Sequence, residues 1–176
     1  ADVRNILSKD YVDGIHLDDY FYPYPIAGKV FPDDYAYQRA STSLSKGDWR
    51  RSNVDSIIKN INIAIKETKP YVKFGISPFS VWRNSKDDTQ GSDSKAGLTN
   101  YDHLYADVLL WLRKGWIDYV TPQLYREIND HLVPYERMVG WWAAHSFGRH
   151  VYIGHGIYRA LENSANWKKP TQLPGQ

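Results

Sequence analysis

The residues best suited to chemistry lie in one short stretch, Tyr11 to Pro25, which reads Tyr-Val-Asp-Gly-Ile-His-Leu-Asp-Asp-Tyr-Phe-Tyr-Pro-Tyr-Pro. Val12 to Leu17 has the make-up of a short buried strand, yet it delivers two adjacent carboxylates, Asp18 and Asp19, and then tyrosines broken by prolines. Side chains alternate across a strand, so Gly14, His16 and Asp18 share one face and Ile15, Leu17 and Asp19 the other. With the apolar pair under helices, Asp18 becomes the inward carboxylate at the strand's C-terminal end, where parallel α/β architectures place their reactive groups. An Asp-Asp pair can also cap a turn. The following Tyr20, Tyr22 and prolines argue against that reading, because Pro blocks an immediate helix and tyrosine tips are polar.

Other strand ends add candidates. Trp82, Arg83 and Asn84 follow Val72–Phe79; Gln123, Tyr125 and Glu127 end the stretch from Trp116; His155 lies in His150–Tyr158. Gln123 and Asn84 can hold hydroxyls, Arg83 can pair with a carboxylate, and Tyr22, Trp82 and Tyr125 offer flat faces. Glu127 is a second carboxylate with either a general-acid role or an exposed loop position. His16 and His155 read as hydroxyl contacts, since no His-Glu-x-x-His or paired metal spacing exists. No metal and no cofactor are expected.

Four elements must position these groups. Apolar stripes at helical spacing run from Val54 to Ile65 (Val54, Ile57, Ile58, Ile61, Ile65), from Leu104 to Leu112, and from Met138 to Trp142. Ser52 with Asp55 resembles a capping box, Asn100 can cap the second stripe and Gly115 stop it, and Pro134 suits the first position of the third. Between them lie strands expected near 12–18, 72–79, 117–124 and 150–157. Strand then helix, repeated, predicts parallel βαβ units in consecutive order. Pro23 to Gly47 reads as a long irregular loop, with Asp33-Asp34 as solvated charge. Asp118 reads as structural, Trp111, Trp141 and Trp142 as core, and the tail beyond Tyr158 as loop with one helical turn near Ala165.

The 176 residues are 42% hydrophobic and 24% charged, which suits one globular unit with a core. A net charge of +2 offers no electrostatic case for a nucleic-acid or membrane partner. With 7 Trp and 14 Tyr, stacking surfaces for sugars or peptides are expected as well as core. The absence of Cys excludes a thiol nucleophile, an Fe–S cluster and any disulfide. No apolar run approaches the roughly 20 residues of a membrane span. No Gly-x-Gly-x-x-Gly or Walker-type motif follows a strand, which disfavours nucleotide-binding folds. A full eight-stranded barrel takes about 200–250 residues, so four strands, a start without Met and a helical pattern already under way at Val3 lead us to expect part of a barrel.

The motifs together resemble one family. Val-Asp-Gly-Ile-His-Leu-Asp-Asp-Tyr-Phe-Tyr-Pro (12–23), Phe-Gly-Ile-Ser-Pro-Phe (74–79) with Trp82-Arg83-Asn84, Gly-Trp-Ile-Asp-Tyr-Val-Thr-Pro-Gln-Leu-Tyr (115–125) and Tyr-Ile-Gly-His-Gly-Ile-Tyr (152–158) are similar to the bacterial glycosyl-hydrolase-like 10 family, the DUF187 group of secreted or lipid-anchored glycosidases. The resemblance implies a partial TIM (β/α)8 barrel, about strands four to seven, with residues 1–176 a single catalytic-barrel segment truncated at both ends. It implies a glycan substrate and hydrolysis by a carboxylate pair in an extracytoplasmic setting, periplasmic, cell-surface or secreted. Asp18 would be nucleophile or stabilising carboxylate, Asp19 its neighbour in the site, and Glu127 the general acid; His16, Tyr20, Tyr22, Trp82, Arg83, Asn84, Gln123, Tyr125 and His155 would contact substrate. Ser80 stands where members often have Gly, and Arg126 where a Trp commonly follows the Tyr. The alternatives are a non-catalytic glycan-binding barrel and a metal-dependent phosphoesterase using Asp18, Asp19 and a His.

Overall fold

The computed structural model describes residues 3–19 and 21–160. Its centre is a four-stranded parallel sheet in the order β1-β2-β3-β4, with β1 at Gly14–Leu17, β2 at Lys73–Ile76, β3 at Tyr119–Val120 and β4 at His150–Val151. Helices α1 (Val3–Leu7), α2 (Asp34–Arg39), α3 (Lys46–Thr68), α4 (Asn100–His103), α5 (Val108–Lys114) and α6 (Tyr135–Ala144) carry the chain between strands. The result is a mixed α/β sheet with consecutive parallel neighbours, consistent with part of a barrel. A 3-10 turn spans Ile157–Ala160. The expected turn near Ala165 lies outside the described residues.

One face of the sheet is sealed by helices. Ile15, Phe74, Ile76 and Val120 point to it and pack with Val54, Ile58 and Ile65 of α3, Leu109, Trp111 and Leu112 of α5, and Met138 and Trp142 of α6. Each fully buried aliphatic or Phe side chain here contributes roughly 1.5–3 kcal/mol. Ile57, counted on the α3 stripe from spacing alone, is instead 57% exposed. Two indoles of the core keep partners for their N–H groups: Trp111 Nε1 donates to Asp55 (2.6 Å) and Trp142 Nε1 to the Ser80 carbonyl (2.9 Å). Asp118 splices β3 to the rest, its Oδ2 accepting from Lys66 Nζ and from the Phe74 N–H, each at 2.8 Å.

The strands at 117–124 and 150–157 are shorter than their sequence spans. Pro122 has no N–H to donate and Pro78 interrupts β2 in the same way, so the ladder resumes only as single bridges, Phe79 with Gln123 and Gln123 with Gly154. The start of α3 also differs from expectation. Its cap is Ser45, whose Oγ accepts from the Asp48 N–H (3.1 Å) while donating to the Asp48 carboxylate (2.6 Å). The turn from 46 to 51 buries Arg50 in place of an apolar side chain, so no stripe announces it. The helix α2 within the supposed loop buries nothing, and so leaves no periodic signal. Thr99 rather than Asn100 caps α4, Asp107 caps α5, and Pro134 precedes α6 by one residue. Gly115 ends α5 as expected, with a left-handed φ of 67°.

Asp33 is the clearest correction: it is buried, where solvated charge was expected. Arg50 donates to both its oxygens, Nε at 2.7 Å and Nη2 at 2.6 Å, and Lys46 lies 3.0 Å from Oδ1. The Arg50 guanidinium also lies against the rings of Tyr22 and Tyr105, which touch each other edge-on, and donates to the Tyr105 hydroxyl (2.6 Å). Hydrogen bonds from Arg50 and then Lys46 hold the Asp33 carboxyl down to about 2 from 3.8. A depressed carboxyl stabilises the fold above its unfolded value and loses that contribution as pH falls through its folded one. Asp33→Asn, which leaves Arg50 buried without its partner charge, is expected to cost about 3 kcal/mol near neutral pH. In urea unfolding the gap from wild type should close between about pH 4 and pH 2.

Candidate active site

The second face of the sheet is the open one, and the two-residue period of β1 decides what reaches it. Gly14, His16 and Asp18 are exposed there, whereas Ile15 is buried under the helices and Asp19 is buried against the loop after β1. Asp18 therefore stands alone of the acidic pair at the mouth. Gln123 reaches it across β2: its Nε2 donates to Asp18 Oδ1 at 2.7 Å and to the Ser77 carbonyl at 3.2 Å. The Asp19 N–H bonds the same Asp18 oxygen at 3.0 Å. Two donors thus converge on Oδ1, while Oδ2 has no partner among the described residues. Such a carboxylate is oriented and still has an oxygen available for a ligand.

Tyr125 is half-buried near this group. Its phenol is pushed up by burial, and further by the charges of Asp18, the neighbouring Tyr158 and Asp19. The hydroxyl therefore stays protonated through neutral pH and is a donor beside a negative site. Tyr158 packs edge-on to it, with centroids 6.1 Å apart. Glu127 lies farther along the β3–α6 connection, half-buried, its carbonyl accepting from the Asp130 N–H at 3.2 Å. His155 is exposed, with its ring 5.7 Å from that of Tyr135. Tyr20 lies outside the described residues.

Several candidates prove to be framework. Asp19 is 2% exposed and accepts a hydrogen bond from the Tyr24 hydroxyl, so its carboxylate braces the loop after β1 and does not share the open face with Asp18. Trp82, expected as a stacking platform, is 4% exposed: Nε1 donates to Asp107 at 3.2 Å and the ring stacks on Trp141. Arg83 is tied to Asp102 (2.9 Å) and Asp88 (3.0 Å) and lies over Tyr101. Asn84 is buried, with Oδ1 accepting from Ser94 Oγ (2.9 Å) and the Ala96 N–H (2.8 Å) and Nδ2 donating to the Ala96 carbonyl (3.0 Å). Tyr22 packs on Phe31, Tyr105 and Arg50. These five residues hold the loops after β1 and β2 in shape, because a long polar excursion needs internal partners for its buried backbone.

Two inward residues escaped the sequence reading. Tyr119 shares the alternation of Gln123, two pairs further along the strand, and its hydroxyl lies 3.0 Å from His16 Nδ1. Tyr152, of the β4 face, packs edge-on to Tyr119 at 5.7 Å. The signal was the phase set by Gln123, which makes 119, 121 and 123 one face. Among the described residues no group of three or more His, Asp or Glu side chains could hold a metal ion.

A family model described as "Glycosyl hydrolase-like 10" matches residues 1–171. The chain belongs to this family. It is 46% identical over 170 residues to a Bacillus subtilis protein named glycosyl hydrolase YngK, covering 94% of this chain and 33% of that protein. It is 37% identical over 165 residues to Escherichia coli K12 glycosyl hydrolase DigH, covering 92% of this chain and 37% of that protein. The chain thus spans about a third of the length of the curated relatives it matches.

The framework assignment of Asn84 has a direct check. Asn84→Ala leaves the Ser94 hydroxyl and Ala96 N–H without their acceptor, at a cost of about 2 kcal/mol. The expected result is faster amide exchange over residues 80–99 in hydrogen-exchange mass spectrometry, with β1 and α3 unchanged.

Proposed function

We propose that the protein hydrolyses glycosidic bonds of a bacterial glycan, using the open face of a (β/α)8 barrel of which this chain forms about strands four to seven. The observation that carries this reading is Asp18: an exposed carboxylate at the C-terminal end of a parallel strand, held by Gln123 through one oxygen only. Cleavage of a glycosidic bond needs one carboxyl group to attack the sugar, stabilise it or activate water, and a second to protonate the leaving oxygen. Asp18 takes the first role. Negative charge at that point stabilises the oxocarbenium-like transition state, and the Gln123 and Asp19 N–H donors fix its direction in advance. Glu127, on the loop that follows Tyr125, takes the general-acid role. Tyr125 donates to a charged or hydroxyl group beside Asp18. The naming of the chain's relatives YngK and DigH as glycosyl hydrolases supports the reaction class. The family resemblance supports an extracytoplasmic place of action on envelope glycan such as peptidoglycan strands. No helix among the described residues is long and apolar enough to cross a membrane.

The test is turnover of peptidoglycan strands and common polysaccharides by the full-length parent protein. Asp18→Asn keeps the shape and the Oδ1 acceptor for Gln123 while removing the charge. It is expected to melt with wild type and to lose on the order of 10²–10³ in rate, the scale of one preorganised electrostatic group. Near wild-type turnover by a folded Asp18→Asn protein would take the role away from Asp18. An equally silent Glu127→Gln would move the acid to a strand outside this segment.

A further inference from the structure

Directly beneath Asp18 the open face carries three residues in strict register. His16 of β1 pairs with Gly75 of β2, and Gly75 pairs with Tyr119 of β3. Gly75 has no side chain, and the Tyr119 ring occupies the space: a Cβ built on Gly75 would fall within that ring. Lying across the glycine brings the Tyr119 hydroxyl to 3.0 Å from His16 Nδ1, with the two rings near parallel at 21° and 5.7 Å between centroids. Tyr152 closes the far side edge-on, so the phenol is held between two strands.

This contact fixes more than position. A neutral imidazole carries one proton on either nitrogen, and a donor at one nitrogen drives the proton to the other. The Tyr119 phenol is pushed up by burial, then by Tyr152 and Asp118, and so remains a proton donor throughout the range in which imidazole titrates. The 3.0 Å contact itself admits either direction; with Tyr119 as the donor to Nδ1 the imidazole proton sits on Nε2, which has no partner among the described residues. His16 precedes Asp18 by two residues on the same face, which places it roughly 7 Å along the strand, about the width of one sugar ring.

We infer that Tyr119, laid across Gly75, is a positioning residue that holds His16 as the Nε2–H tautomer, and that His16 donates this proton in a hydrogen bond to a hydroxyl of the sugar held at Asp18. The inference rests on the glycoside-hydrolase reading for its ligand. The tautomer does not depend on it.

The experiment uses the full-length parent protein. Tyr119→Phe keeps the ring on Gly75 and removes only the hydroxyl; His16→Gln keeps an amide N–H near the Nε2 position without needing a partner to set its tautomer. Histidine labelled with ¹⁵N reports the tautomer, the His16 signals being assigned by their loss in His16→Gln. Tyr119→Phe should move these signals from the Nε2–H form toward a mixture and raise KM for the glycan roughly three- to tenfold, the scale of one hydrogen bond, with kcat little changed. In the His16→Gln background the same substitution should add no further loss, because its effect runs through the imidazole. A merely packing role for Tyr119 predicts no loss, because the ring stays in place, and a hydroxyl acting elsewhere than on His16 predicts the same loss in both backgrounds; either result overturns the inference, as do unchanged nitrogen signals. If wild-type protein turns over no glycan, the hydrolase reading and the sugar contact fall together, while the nitrogen signals still decide whether Tyr119 sets His16.

Discussion

The two-residue period of a strand governs this structure. β1 is only four residues long, yet its phase sends Ile15 under the helices and His16 and Asp18 to the open face, and the next residue, Asp19, is buried against the loop that follows. A slip of one residue would exchange the two aspartates and bury the wrong one. The slip is prevented from both sides. Ile15 is fixed in the apolar layer, and Asp19 is bound by the Tyr24 hydroxyl, so each holds the other in phase. An acidic pair that looked like two candidates is one candidate and its brace.

The same logic shows what the sequence could and could not convey. Parallel order and the inward phase of Asp18 and Gln123 were legible, since both follow from apolar spacing and alternation. So was Gly115 as a helix stop. Trp82, Arg83 and Asn84 were misread because strand-end position predicts nearness to a site but not the direction of a side chain. Of their partners, Asp107, Asp102 and Ala96 lie 12 to 25 residues along the chain, where no local pattern links them; only Asp88, five residues from Arg83, is near in sequence. Asp33 was misread for a related reason: its burial depends on Arg50, on a helical turn with no apolar stripe to betray it. Tyr119 was overlooked beside the more conspicuous Asp118, although the phase of Gln123 already put it on the open face.

Electrostatics separates framework from site. Asp33, Asp102 and Asp118 each have a cation within 4 Å, and Asp19 is braced by a tyrosine. Asp18 has neutral donors only, Gln123 Nε2 and a backbone N–H. A neutral donor orients a carboxylate without cancelling its charge, which suits a group that must face positive charge developing on a substrate. The Arg50 guanidinium, in contrast, forks onto both Asp33 oxygens and lies against the Tyr22 and Tyr105 rings, so Lys could not replace it there.

Pro78 and Pro122 have a wider effect than shortening two strands. They divide the sheet along its axis into a lower part with a continuous ladder, from β1 through β4, and an upper rim joined by single bridges at Phe79, Gln123 and Gly154. Local opening costs least where backbone bonds are few and solvent is near. The rim that carries Gln123 is not such a place: the Gln123 N–H donates to the Pro78 carbonyl, and the Leu124 N–H to the Gly154 carbonyl, each at 3.0 Å, so the two prolines leave the outer edge without a ladder but not without ties, and the side chain that grips Asp18 stands on a backbone held from both neighbouring strands.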